Sequence, residues 1–108
     1  MDKDKLYISH ILSAIESIEE FTRGLDHDNF LSNKLVQSAV IRQVEIIGEA
    51  TKNLSESLRA DESRAPWRDI AGMRDFLIHE YFGVDLEEVW KTVSEDVPRL
   101  KEIVKSLQ

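Results

Sequence analysis

Asn33-Lys-Leu-Val-Gln-Ser-Ala-Val-Ile-Arg-Gln-Val-Glu-Ile-Ile-Gly-Glu-Ala-Thr-Lys-Asn-Leu54 decides the fold of this chain. Val36, Val40, Val44, Ile47 and Leu54 recur at helical spacing and continue to Leu58, while Leu35, Ala39, Ile46 and Ala50 widen the stripe beyond what one partner covers. The spacing predicts a helix from a cap at Ser32 or Asn33 to about Arg59, packed on more than one side. Gly48, inside it, marks either a close helix crossing or a tolerated weak position.

Outward from this segment the pattern stays helical. Ile8, Ile11, Leu12, Ile15 and Ile18 predict a first helix over about Asp4 to Arg23, stopped by Gly24. Asp26 to Asn29 reads as a turn. A third helix is predicted from Pro66 or Trp67, with Ile70, Met73, Phe76 and Leu77 on its core face and Gly83 ending it. Asp85-Leu-Glu-Glu88 resembles a capping box that opens a last helical region reaching nearly to Gln108. Pro98 is expected to kink or split that region, because it lacks a donor and crowds the Ser94 carbonyl. No strand-like alternation or repeat interrupts the pattern, so the expected fold is all-α, an up-and-down bundle of four to five helices in one domain over residues 1–108.

Composition narrows the classes. The 108 residues hold 14 Lys and Arg against 21 Asp and Glu, a net charge of −7, so the bulk field does not attract nucleic acid. A nucleic-acid enzyme would need a local basic cleft. Arg64, Arg68 and Arg74 are close enough in sequence to form one, or to be a solvated helix face. No cysteine is present, which excludes thiol catalysis and thiolate metal sites and fits a reducing compartment. The charged start, Met1-Asp-Lys-Asp-Lys5, argues against a signal peptide, and no apolar run is long enough for a membrane span.

One segment concentrates chemistry. Arg74 is a permanent cation, His79 titrates near neutrality and Tyr81 is a phenol, a set suited to work on a phosphodiester. On an ideal helix Arg74 and Tyr81 share a face roughly 10 Å apart, whereas His79 lies about 140° around from Arg74. One straight helix therefore aims Arg74 and His79 apart, and a cleft between helices or between two copies of the chain would reunite them. Asp75 stands four residues before His79, as an orienting carboxylate or a routine surface pair. Arg42, Glu45 and Glu49 are polar residues on the broadly apolar second helix that either face the same cleft or form a solvated ridge. Trp67 and Trp90 read as packing anchors, and His10 and His27, isolated in sequence, receive no role.

Arg74, Asp75-Phe-Leu-Ile78, His79, Glu80 and Tyr81 spell R-x4-H-x-Y without departure, and in this the chain resembles the HepT-like branch of the HEPN superfamily. The resemblance extends over Ile41 to Leu54, Trp67 to Met73, Tyr81 to Asp85, Val89-Trp90 and Asp96-Val-Pro98. It implies a dimerising cytoplasmic toxin of a HEPN/MNT toxin-antitoxin module, acting as an endoribonuclease without metal or other cofactor. Arg74 would bind and polarise the scissile phosphate and His79 would transfer a proton. It further implies a homodimer with the two signatures facing across a cleft, and an MNT-type nucleotidyltransferase antitoxin that transfers AMP to Tyr81. A different class remains open: a catalytically weak helical binding module that partners a nucleotidyltransferase and holds nucleotide or phosphate.

Overall fold

The computed structural model describes residues 3–72 and 85–108. Helix α1 spans Lys3–Thr22 and buries Ile8, Ile11, Ala14, Ile15 and Ile18, one face at three- and four-residue intervals. It stops as expected, two residues before Gly24 takes φ 77°, a left-handed conformation in which a Cβ would be strained.

Between the two long helices the predicted turn is a short helix, α2 (His27–Leu31). The Asp26 carboxylate accepts from the Asn29 N–H at 2.8 Å, supplying a cap, and the fully buried Phe30 anchors the turn to the core. Helix α3 (Lys34–Lys52) then starts where Asn33 accepts from the Val36 N–H at 3.1 Å. Its inner face, Val40, Val44, Ile47, Gly48, Ala50 and Thr51, is buried, and the Thr51 hydroxyl donates back to the Ile47 carbonyl.

The second predicted helix does not continue to Arg59. It ends at Lys52, and a separate helix, α4 (Glu56–Asp61), follows. Hydrophobic period is blind to this break, since Leu54 is buried and Leu58 is partly buried against the core. Polar contacts decide it. Ser55 accepts from the Leu58 N–H to cap α4, while its own N–H and hydroxyl donate to Asp4 at 2.8 and 2.6 Å.

Helical residues 67–72 (α5) begin as predicted, with Ile70 N–H donating to the Pro66 carbonyl at 3.0 Å. The predicted stop at Gly83 lies outside the described residues. Asp85 caps α6 (Leu86–Lys91), accepting from the Glu87 and Glu88 N–H groups. The C-terminal helix keeps helical backbone past Pro98. A π-turn, Thr92–Asp96, separates α6 from α7 (Val97–Ser106), and Val97 N–H donates to the Thr92 carbonyl five residues back. Such a widened turn precedes the proline, which then sits in the first turn of α7, where a missing donor costs least.

Helix α1 packs mainly along α3, and α7 also lies against α1, while α2 bridges α3 and α6. The first two run in opposite directions, because Asp4 at the start of α1 meets Ser55 just beyond the end of α3. Their shared core includes Ile11, Ile15, Ile18, Phe30, Val40, Val44, Ile47, Val89, Leu100 and Val104. Among the described residues every regular element is helical, giving an all-α bundle in which α2 is added and the second predicted helix is divided. No described helix is long and apolar enough to cross a membrane.

Candidate active site and its helical frame

Arg74, Asp75, His79 and Tyr81 lie outside the described residues; the frame on either side of them is described. On the N-terminal side Trp67 is buried, and its indole N–H donates to the Glu62 carbonyl at 2.9 Å. Ala65 and Ile70 are buried beside it in the same core. These contacts orient α5, whose last described residue, Gly72, precedes Arg74 by two positions.

The C-terminal side is anchored by a different set of groups. Asp85 caps α6, and His27 Nε2 lies 2.6 Å from Glu87 Oε2, tying α2 to the first turn of α6. The Trp90 ring packs on Phe30 with centroids 5.1 Å apart and on His27 at 6.1 Å. Both tryptophans are therefore packing anchors, and His27, without a role in the sequence reading, gains a structural one.

Arg42, Glu45 and Glu49 are brought together. With Tyr7, His10 and Ile46 they line a groove of about 190 Å³ between α1 and α3. Arg42 Nη1 is 3.8 Å from Glu45 Oε2, a loose i,i+3 pair whose arginine is largely exposed. Tyr7 and His10 meet edge to face, centroids 5.7 Å apart. Neither was recognisable as a groove residue in the sequence; only their three-residue spacing, which places them on one helix face, hinted at it.

A second groove, about 590 Å³, opens between α4 and α5 and is lined by Glu56, Arg59, Trp67, Arg68, Ala71 and Gly72. Of the arginines singled out by sequence, Arg64 is engaged elsewhere, its Nη2 2.7 Å from Glu62, and Arg99 donates to its carbonyl. Arg68 lines the groove, joined by Arg59, which sequence reading had not selected.

Fold and sequence thus define a small all-α domain that carries an Arg-x4-His-x-Tyr signature between two anchored helix ends. Residues 11–107 match the family described as Ribonuclease HepT-like, and the chain belongs to that family. It is 54% identical over 97 residues to a protein of Thermococcus cleftensis named "Probable ribonuclease HepT", covering 90% of this chain and 88% of that one. A protein of Caldanaerobacter subterraneus subsp. tengcongensis, provisionally named an RNase, is 41% identical over 107 residues, with 99% of this chain and 96% of the relative covered. A Methanocaldococcus jannaschii protein, whose name joins gamma-glutamylcyclotransferase to a provisional RNase, is 52% identical over 103 residues; these cover 94% of this chain and only 46% of that relative, so here the chain spans about half the relative's length. No solved structure matches the chain significantly.

Proposed function

We propose that this chain is a metal-independent endoribonuclease and the toxin of a HEPN/MNT toxin-antitoxin module. The observation that carries the reading is the intact signature, Arg74, His79 and Tyr81, inside a chain that matches a ribonuclease family from residue 11 to 107.

Chemically, the nucleophile is the substrate's own 2′-hydroxyl. Arg74 neutralises charge growing on the non-bridging phosphate oxygens, and a guanidinium fork suits two of them at once. His79 transfers the proton that moves as the 2′-oxygen bonds to phosphorus and the 5′-oxygen leaves. The products are a 2′,3′-cyclic phosphate and a 5′-hydroxyl. Asp75 orients the imidazole, and Arg42, Glu45 and Glu49 support the substrate cleft.

The cleft is formed by a homodimer, which answers the angular separation of Arg74 and His79 on a single helix. Silencing follows from AMP transfer by a nucleotidyltransferase antitoxin: the Tyr81 phenolate oxygen bonds to the α-phosphorus of ATP and pyrophosphate leaves. An anionic adenylyl group beside Arg74 and His79 occupies the cleft and offsets its positive charge.

The net charge of −7 favours a second reading, a binding module that partners the nucleotidyltransferase without cutting RNA. Purified protein incubated with total RNA beside Arg74→Ala and His79→Ala separates the two. Cleavage by the wild type alone, leaving cyclic phosphate ends, is expected; wild-type cutting no better than the variants removes the ribonuclease reading.

A further inference from the structure

Four grooves among the described residues differ in their charges. Glu45 and Glu49 face Arg42 in the α1–α3 groove. Asp69, Glu88 and Asp96 outnumber Arg68 and Lys91 between α5 and α6, and Glu16, Glu19 and Glu20 balance Arg23, Lys101 and Lys105 between α1 and α7. Of these four, the α4–α5 groove alone is lined by more cations than anions, Arg59 and Arg68 against Glu56. In a chain of net charge −7, that local reversal is the exception.

The state of the two guanidiniums adds a second, independent observation. Arg59 Nε is buried with no hydrogen-bond partner among the described residues. A donor left unpaired in this way is costly, and turning the guanidinium out toward a ligand oxygen would relieve that cost. Arg68 is exposed and, among the described residues, has no ion-pair partner, in contrast to Arg64 with Glu62. Gly72 borders the groove, and a Cβ built there meets nothing within 4 Å, so the rim is open. Trp67 turns its indole N–H to the Glu62 carbonyl and is buried, leaving the groove without a free aromatic platform for a base.

We infer that the α4–α5 groove is a phosphate subsite for the RNA strand beside the scissile position, with Arg59 and Arg68 as its two cationic groups. Arginine matches phosphate geometry in a fork, and phosphate contacts position a strand without reading its sequence. Location supports the assignment: Gly72 is two residues from Arg74, so chain connectivity alone keeps the groove rim within about 7 Å, Cα to Cα, of the residue assigned to the scissile phosphate. The subsite rests on the ribonuclease reading for the identity of its strand. It also removes the difficulty of an acidic protein handling RNA, because binding is concentrated in one local strip.

Binding is measured by fluorescence anisotropy across a salt series, using a labelled single-stranded oligoribonucleotide in which every 2′-hydroxyl is methylated. The nucleophile is absent, so binding is read without cleavage. Arg68→Gln and Arg59→Gln are each expected to weaken binding about 3- to 10-fold at 0.1 M salt and to reduce the slope of log K against log salt by about 0.7. Arg59→Lys should keep the slope, and Arg23→Gln, in the balanced groove between α1 and α7, should match the wild type. Wild-type affinity and slope in both glutamine variants, or no binding by the wild type, overturns the subsite. If Arg59→Gln melts early, the exposed Arg68 decides the matter alone. Altered slopes with no cleavage of unmodified RNA by the wild type keep the groove as a phosphate site and remove the ribonuclease reading; cleavage with unaltered slopes does the reverse.

Discussion

Asp4 accepts two hydrogen bonds from Ser55, from its N–H at 2.8 Å and from its hydroxyl at 2.6 Å, across 51 residues of sequence. The contact holds the loop between α3 and α4 against the first turn of α1. Ser55 is at once the cap of α4, so the same residue ends one direction of the chain and begins the next. Arg59 reaches its groove from that redirected helix. A helix running straight on from Lys52 would carry Arg59 elsewhere.

Replacing Asp4 by Ala should therefore destabilise the fold, and the loss should depend on pH. The Ser55 hydroxyl first, and the Ser55 N–H second, hold the Asp4 carboxyl below its ordinary 3.8. A lowered carboxylate pKa contributes stability that is present above 3.8 and lost as pH falls through the folded-state value. After allowance for solvent screening the loss at pH 7 is up to about 1 kcal/mol. Thermal melts at pH 7 and below pH 3 check it; an equal deficit at both would show that the carboxylate charge is irrelevant.

Asp96→Asn should act in the opposite sense. Burial raises the Asp96 carboxyl above 3.8, and the charges of Asp69 and Glu95 push it further, against partial relief from Lys91 and Arg99. A raised carboxyl pKa means that stability is fully present below 3.8 and is lost as pH rises through the folded value. Asparagine removes the ionisation, so the variant should melt higher at pH 7, by up to about 1 kcal/mol of stability. The advantage should disappear near pH 3, and a lower melting point at pH 7 would contradict the assignment.

Helix boundaries were legible wherever the signal is local. Gly24, Asn33, Pro66 and Asp85 end or begin helices within a residue or two of the positions their chemistry implies. The break at Asn53-Leu54-Ser55 was not legible, because Leu54 and Leu58 keep the period while the deciding acceptor, Asp4, sits on another helix. The π-turn escaped for a related reason: Pro98 announces a disturbance, but whether the helix breaks or widens depends on how Thr92, Val93 and Val97 are held in the core. At the site, Arg42, Glu45 and Glu49 could be grouped from their spacing on one helix, whereas Tyr7 and His10 join them only through α1–α3 packing. Arg59 required both the break and α5 to be placed.

Two apolar residues of the predicted stripes should part company on mutation. Ile15 is fully enclosed between helices, so Ile15→Ala should cost about 2–5 kcal/mol through lost burial and a residual cavity. Leu35, included in the wide stripe of the second helix, is 80% exposed, and Leu35→Ala should change stability by less than about 0.5 kcal/mol. Chemical denaturation of both variants measures the contrast. A loss at Leu35 approaching that at Ile15 would place this side chain against a second copy of the chain.

Removing the proton-transfer group should cost far more activity than disturbing the α1–α3 groove. His79→Ala is expected to lower RNA cleavage by about 10²- to 10⁴-fold, the range for loss of a general acid or base. Arg42→Gln removes a loose 3.8 Å pair with Glu45 whose arginine is largely exposed, so its folding should be preserved, and Glu49→Gln changes the same groove from the next turn of α3. As changes at supporting residues, both should reduce kcat/KM several-fold, because these side chains help hold substrate and transfer no proton, and the Arg42 variant should keep its Tm. Single-turnover cleavage of one labelled RNA, run for all three variants at fixed salt, ranks them. A loss at Glu49 equal to that at His79 would move Glu49 into the proton-transfer role, and no loss at Arg42 or Glu49 would reduce both to the solvated ridge that their spacing also permits.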